Sequence, residues 1–394
     1  MRNWKKVKLE DVVSVLGDGL HGTPKYDDNG EYYFINGNNL LNGKIVIKDN
    51  TRRSNEAEYN KYKKNLNNRT ILVSINGTLG NIALYNKEKC FLGKSVCYLN
   101  VVDEVDRLFI KYVLLDKNFQ EYISNFAHGT TIKNVSLKTM REYPFLLPPL
   151  PEQKAIADIL SSLDDKIDLL HRQNKTLEAM AETLFRKWFV LRQAQHPEAD
   201  ERWEKTKIGN VVETVLGGTP STNVNEYWNG DIPWINSGEI NKFRITEATK
   251  YITELGLAHS NTKLMPKGTT VLAITGATLG QVSLLEIDSC ANQSVVGIIP
   301  NDKLPKEFIF LWIKNKIKEI ILNETGGAQP HINKNDVNET EIIIPPKTIL
   351  KEKNKIIEHF FNRITNNTFQ IRTLEKLRDT LLPKLMSGEV RVNI

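Results

Sequence analysis

Several stretches carry residue types that could do chemistry. Gly17-Asp18-Gly19-Leu20-His21-Gly22 has the G-x-G-x-x-G spacing of a turn that wraps a dinucleotide pyrophosphate. That chemistry needs a helix directly afterwards, and Thr23-Pro24-Lys25-Tyr26-Asp27-Asp28-Asn29-Gly30 reads as loop. Gly93-Lys94-Ser95 has the end of a phosphate-binding loop, but Glu88 stands at the required first glycine, so ATP binding of that kind is rejected. Glu152-Gln153-Lys154 has the tail of a nuclease metal site. It opens a helix instead, where an acidic residue suits the macrodipole. Cys90 and Cys97 have the wrong spacing for zinc and read as strand core. No Gly-x-Ser-x-Gly elbow, His-Glu-x-x-His pair or amino-methyltransferase Asn/Asp-Pro-Pro-Tyr/Phe signature occurs. No catalytic or metal-ligating residue is assigned. A chain of this size without such a constellation points to recognition or scaffolding.

Recognition chemistry is present in polar loops. Asn36-Gly37-Asn38-Asn39 matches Asn236-Ser237-Gly238-Glu239, and Gly129 through Asn134 matches Gly326 through His331. Asn and Gln can pair bidentately with adenine, Lys and Arg with guanine, and a Thr methyl can touch thymine. Glycine-flanked N–H groups can take phosphates. Arg52-Arg53 and Lys61-Tyr62-Lys63-Lys64 add a basic stretch with Tyr59 and Tyr62 interleaved. The DNA-binding candidates in the first half are His21, Thr23, Lys25, Tyr26, Asn36, Asn38, Asn39, Arg52, Arg53, Lys63, Thr130, Thr131, Lys133 and Asn134. Those in the second half are Thr219, Ser221, Asn236, Ser237, Glu239, Gln329, His331, Asn333 and Lys334. Ile132 faces Gln329 across the match and Asn134 faces His331, so the loop chemistry differs between the halves.

The elements that position these loops come in two copies. Phe34-Ile35-Asn36 returns as Trp234-Ile235-Asn236, and Gly77-Thr78-Leu79-Gly80 as Ala277-Thr278-Leu279-Gly280, each 200 residues later. Gly22-Thr23-Pro24 returns as Gly218-Thr219-Pro220, and Leu147-Pro148-Pro149 as Ile344-Pro345-Pro346. Matches in one order mark a duplicated domain. Each copy opens with short β-like runs and Gly/Asn turns, which predicts an α+β domain. Val105 to Phe126 and Leu304 to Leu322 each read as one helix.

A long helix closes each copy. In the first, Ile156, Leu163, Leu170, Leu177 and Leu184 recur every seven residues, as do Leu160, Ile167, Asn174, Ala181 and Trp188. Pro151 suits its first helical position. In the second, Ile357, Phe360, Ile364, Asn367, Ile371, Leu374, Leu381 and Leu385 form the seam, Arg378 interrupts it, Pro383 should bend the last turns and Gly388 should end it. Such heptads predict a coiled coil between the two rods, with Asn174 and Asn367 able to fix register. The expected boundaries are 1–150, 151–192, 193–347 and 348–394, the domains keeping cores separate from the helices. Ile159, Phe185, Phe189, Ile356 and Leu382 flank the seams and are expected to dock other subunits.

Charge and composition set limits. The chain has 394 residues, 40% apolar and 25% charged, with net charge 53 − 47 = +6. Residues 1–150 hold 22 Lys+Arg and 16 Asp+Glu, net +6, whereas residues 193–347 hold 15 and 19, net −4. Phosphate binding is therefore supported by bulk charge in the first copy only. No apolar run reaches the ~18–20 residues of a membrane span, and no signal peptide is read at the N-terminus. Three cysteines make no disulfide framework, so a reducing, cytoplasmic setting is expected.

At this point the chain resembles the specificity subunit of type I restriction–modification systems. The resemblance rests on Gly22-Thr23-Pro24-Lys25-Tyr26, Gly218-Thr219-Pro220-Ser221-Thr222, Asp231 through Ile240, Gly326 through Lys334 and Leu147-Pro148-Pro149-Leu150-Pro151-Glu152-Gln153. Pro345-Pro346-Lys347-Thr348 departs from it by lacking the Glu-Gln. The resemblance implies two target-recognition domains, each reading half of a bipartite asymmetric DNA site, with the paired helices as a spacer. It implies as partners double-stranded DNA, two methylation subunits and motor-nuclease restriction subunits. Those subunits would use S-adenosylmethionine, ATP and Mg, and this chain would bind no cofactor and catalyse nothing. Two other readings stand beside it: a DNA-modifying enzyme with its own cryptic active site, and a scaffold whose second domain no longer binds DNA.

Overall fold

β-Branched and aromatic runs bounded by Gly and Asn turns become the strands of two separate units. The computed structural model describes residues 4–129, 132–191, 203–324 and 331–392. The first unit holds residues 1–167 with 374–394, and the second holds 168–373.

In the first unit a four-stranded antiparallel sheet has the order Val13–Asp18, Val96–Val101, Thr70–Ser74, Ile82–Leu84. Arg53–Ser54, Tyr32–Ile35 and Cys90–Leu92 form a second, mixed sheet. Lys5–Lys8 pairs antiparallel with Pro144–Leu147, which brings the start of the domain to the strand before the first long helix. The expected helix over Val105 to Phe126 is instead two, Arg107–Leu115 and Lys117–Asn125. Asp116 breaks it: its backbone is extended and its carboxylate accepts from the Asn118 N–H.

The second unit repeats this plan. Its larger sheet runs Thr214–Leu216, Val295–Ile298, Thr270–Ala273, Val282–Leu285, Arg244–Ile245, and its smaller sheet runs Lys250–Ile252, Trp228–Ile235, Cys290–Ala291. Glu204–Lys207 pairs with Glu341–Ile344, the counterpart of the first unit's closing pair. Here the helix Lys306–Glu324 is continuous, as expected.

The long helices span Leu150–Phe185, continued by a wider π-type turn over Arg186–Leu191, and Lys347–Met386. The first begins one residue before Pro151, with the Pro149 carbonyl accepting from Glu152 and Gln153. The second runs through Pro383 for one more turn and stops at Gly388, whose φ of +68° suits glycine. The expectation of separate cores is corrected. Ile156, Ala157, Leu160, Leu385 and Met386 belong to the first unit's core, and Ala181, Phe185, Leu350, Ile357 and Phe361 to the second's. Within each unit a stretch of one long helix lies antiparallel to a stretch of the other. In the second unit Asn367 Nδ2 donates to Asn174 Oδ1 at 2.9 Å, and Asn174 Nδ2 donates in turn to Thr368 Oγ1 at 3.5 Å. In the first, Arg378, the break in the heptads, donates to Asp164 at 3.1 Å.

This packing corrects two docking assignments. Phe185 and Phe189 are each 2% exposed and contact Phe308 ring to edge, so neither offers a surface. Ile159 and Leu382 are half-buried against the first unit's core, and Ile356 is exposed. Phe185→Asp should destabilise the chain by several kcal/mol, because a carboxylate would lose water with no partner. Ile356→Asp should change stability by less than about 0.5 kcal/mol. Urea unfolding of the two variants checks this.

Asp164 gives a pH signature. It accepts from Lys111 Nζ at 2.8 Å, Tyr112 Oη at 2.7 Å and Arg378. Burial alone would raise its pKa, but these partners outweigh burial and hold it below the ordinary carboxylate value. Its stabilisation is therefore complete above about pH 4 and is lost as pH falls through the lower folded value. Asp164→Asn should cost about 1–3 kcal/mol at neutral pH, and in unfolding experiments the gap from the parent should narrow as pH falls below about 4.

Candidate functional site

A short turn after the strand Cys90–Leu92 organises the loops of the first unit. The Gly93 N–H donates to Ile35 O at 2.8 Å and the Lys94 N–H to Leu20 O at 3.0 Å. The Ile75 N–H donates to Ser95 O at 2.9 Å, and Val135 donates to Ile75 O at 2.8 Å. The Ser95 hydroxyl donates to Asn36 Oδ1 and accepts from the Gly37 N–H, both at 3.0 Å. Four loops, around residues 20, 36, 76 and 134, are thus bonded directly or in sequence to one turn. Gly19 is needed where the first of them crosses it, since a Cβ there would meet the Leu92 and Gly93 carbonyls. This close approach of backbone to backbone, with extended chain following, accounts for the glycine-rich spacing without a dinucleotide.

The second unit builds the same cluster. The Gly218 N–H donates to Ala291 O at 2.8 Å and the Asn292 N–H to Ile235 O at 3.0 Å. The Ile274 N–H donates to Ser294 O at 3.0 Å, and Ile332 donates to Ile274 O at 3.1 Å. Gly217 meets the Ala291 and Asn292 carbonyls as Gly19 meets its own turn. Trp234, the counterpart of Phe34, adds an indole N–H donated to Gly218 O at 3.0 Å.

Many of the expected residues gather at these clusters. In the first unit His21, Lys133 and Asn134 are exposed on the bonded loops, and Asn36 is half-buried. His21 Nε2 lies 2.5 Å from Asp18 Oδ2. Asn38 is exposed on the turn that follows Asn36. Thr23, Lys25, Tyr26, Arg52, Arg53 and Lys63 lie on the segments around Arg53–Ser54 and the helix Glu56–Tyr62, and all are exposed. In the second unit Thr219, Ser221 and His331 are exposed, while Asn236, Ser237 and Lys334 are half-buried. Thr130, Thr131 and Gln329 lie outside the described residues.

Three expected residues instead hold the backbone. Asn39 is buried and donates to Val46 O and Thr51 Oγ1, each at 3.0 Å, while its Oδ1 accepts from the Asn36 N–H. Glu239, its counterpart, accepts from the N–H and Nδ2 of Asn236 and from the N–H and Oγ1 of Thr249. Asn333 caps the helix Lys334–Glu339, accepting from Asn335 and Asp336. The side-chain capacity of Asn39 for a base is therefore taken up, and that of Glu239 and Asn333 is largely committed. Sequence reasoning missed Lys94 and Gln293, the exposed residues of the two central turns. Ser95-Val96 returning as Ser294-Val295 was the available signal.

The basic stretch forms a cation–aromatic surface. Arg52 lies 5.5 Å from the Tyr26 ring centre, Arg53 4.9 Å from Tyr33, and Lys63 5.8 Å from Tyr59. Tyr59 stacks on Tyr32 at 4.0 Å. Burial, with Tyr32 beside it, pushes the Tyr59 pKa up, so the hydroxyl stays protonated and can donate. The second unit has Lys250 5.7 Å from the Trp228 ring. All three thiols are buried, and burial pushes Cys90 up to about 12 and Cys290 up to about 11. Both are protonated at neutral pH and poor nucleophiles. Among the described residues no helix is long and apolar enough to cross a membrane.

Comparison with known proteins follows the same two-part division. The family described as type I restriction modification DNA specificity domain matches residues 1–179 and again 200–376. A type I restriction enzyme specificity subunit from Methanocaldococcus jannaschii, MjaIX, is 26% identical over 99% of this chain and 94% of its own length. The HindI specificity subunit of Haemophilus influenzae is 25% identical over 72% of this chain and 77% of its own length. The crystal structure of a type I restriction-modification S subunit from M. genitalium shares the fold, with TM-score 0.64 and 22% identity, covering 98% of this chain and 96% of that one.

Because Asn39 holds the loop from Asn36 to Thr51 through three hydrogen bonds, Asn39→Ala should cost about 1–3 kcal/mol. Amide exchange at Asn36 should accelerate while amides in the sheet strand Thr70–Ser74 stay protected. Hydrogen-exchange measurements test both parts.

Proposed function

Because the chain belongs to the family of type I restriction modification DNA specificity domains, we propose that it selects the DNA sequence on which a type I restriction–modification complex acts, each unit reading one half of a bipartite, asymmetric site. The observation that carries this reading is the loop cluster itself. One backbone scaffold occurs twice, held by equivalent hydrogen bonds, and presents different exposed side chains in each copy. Binding of two different sequences by one fold calls for that combination.

Contacts divide by chemistry. Exposed Arg52, Arg53 and Lys63 suit phosphates, which fix position without reading sequence. Polar side chains on the bonded loops suit base edges, because their backbones are already held in place and little ordering is needed on binding. The second unit has fewer cations, and the −4 balance of residues 193–347 favours a weaker, more selective contact there. That balance also supports the second reading, in which this unit has lost DNA binding.

Methylation subunits and motor-nuclease subunits complete the assembly, in this reading, with two methylation subunits per chain. They supply S-adenosylmethionine, ATP and Mg chemistry, while this chain supplies sequence choice, binds no cofactor and is not itself an enzyme. The setting is the cytoplasm. Exposed flanks of the long helices, Ile356 among them, provide docking surface.

Exchange of residues 4–147 for the matching segment of a relative with similar helix-facing core residues tests the reading. Methylated-base sequencing in cells carrying the complex should show one half-site replaced and the other kept. A motif unchanged, or altered in both halves, would contradict it. A parent motif with only one specified half would support loss of binding by the second unit.

A further inference from the structure

The turn at the centre of each loop cluster has one outward residue. In the first unit Leu92, Gly93 and Val96 are buried and Ser95 is half-buried, but Lys94 is exposed. In the second, Ala291 and Val295 are buried, Asn292 and Ser294 are half-buried, and Gln293 is exposed. Both positions are fixed by backbone. The Lys94 N–H donates to Leu20 O, the Val96 N–H closes the turn onto Gly93 O at 3.0 Å, and the Val295 N–H closes its turn onto Asn292 O at 3.1 Å. A side chain rooted there has a rigid base, which a specific contact needs and a mobile loop lacks.

The two side chains differ in chemistry. The Lys94 ammonium has three donors, no acceptor, and no hydrogen bond or ion pair among the described residues. The Gln293 amide offers a donor and an acceptor together, and the Thr219 hydroxyl donates to its Oε1, which orients it. Guanine presents two acceptors, O6 and N7, in the major groove. Adenine presents the N6 donor beside the N7 acceptor.

We propose that Lys94 and Gln293 are specificity-determining residues at equivalent positions, Lys94 reading a guanine in the half-site of the first unit and Gln293 an adenine in that of the second. The assignment rests on the DNA-recognition reading above and adds to it which side chains choose which bases. Oε1 of Gln293 retains a lone pair for the adenine N6–H while Nε2 donates to N7. Lys94 donates to O6 and N7 and finds no acceptor pair on adenine.

The test uses the complex of the full chain with its methylation subunits. Binding is measured on duplexes carrying the parent's methylated motif and on duplexes changed at one base pair at a time. If the parent shows no bipartite motif, the functional reading itself fails, and that is seen before any variant is made. Lys94→Ala should lose discrimination at a single guanine of one half-site, on the order of ten- to a hundredfold, with the other half-site unchanged. Gln293→Ala should do the same at one adenine of the other half-site. Lys94→Gln should move the preference at its position from guanine toward adenine. Equal weakening on every duplex would make Lys94 a phosphate contact and overturn the assignment, as would variants that keep the parent's full preference.

Discussion

Neither globular unit is complete without helix drawn from two distant parts of the sequence. The first unit's sheet buries its apolar face partly against Ile156, Ala157 and Leu160, and partly against Leu385 and Met386. The second does so against Ala181, Phe185 and Phe189 on one helix and Leu350, Ile357 and Phe361 on the other. The long helices are therefore core elements of both units as well as partners in a seam. The apolar sheet face that carries these contacts must be covered, and here the cover is shared with the element that carries the heptads. Residues at the same helix therefore answer to two constraints, and Phe185 shows that the domain core can win over an exposed flank.

Several polar groups within these apolar contacts have polar partners. Asn367 is buried and meets Asn174, while Arg378 meets Asp164. Arg244 is enclosed by Phe243, Phe310 and Phe361, with Glu286 at 2.9 Å. Its burial lowers its pKa to about 10, which still leaves it charged at neutral pH. The Asn174–Asn367 and Asp164–Arg378 contacts favour one alignment of the helices, since a shift of one residue would separate the partners. Stability and register come from the same contacts.

Above this shared core, the loops combine a constant attachment with variable chemistry. Strand ends and central turns are tied mainly by main-chain hydrogen bonds, with Gly19 and Gly217 at the close crossings and a few side chains, Ser95, Asn39 and Trp234 among them, completing the frame. Side chains at the remaining exposed positions can change without disturbing that frame. A fixed frame limits the ordering cost of binding, and substitution on it alters what is bound.

The duplication, the α+β composition of each copy, the long helices and the membership of the chain in its family were all legible from residue order. They rest on periodicity and repeated phrases, which are local in sequence. The paired asparagines were visible as polar breaks in a heptad, though not their hydrogen bond. Other features needed the tertiary structure. Asp116 splits a helix by taking up an extended backbone, and Asn39 looks like a base reader until the loop folds around it and buries it. Phe185 and Phe189 could be assigned to the core only once Phe308, more than a hundred residues away in sequence, stood against them. Lys94 became conspicuous only when four loops were seen to hang from its turn. Periodicity reports which face of an element is apolar, but which residues are buried or exposed depends on contacts between segments far apart in the chain, and those exist only in the folded molecule.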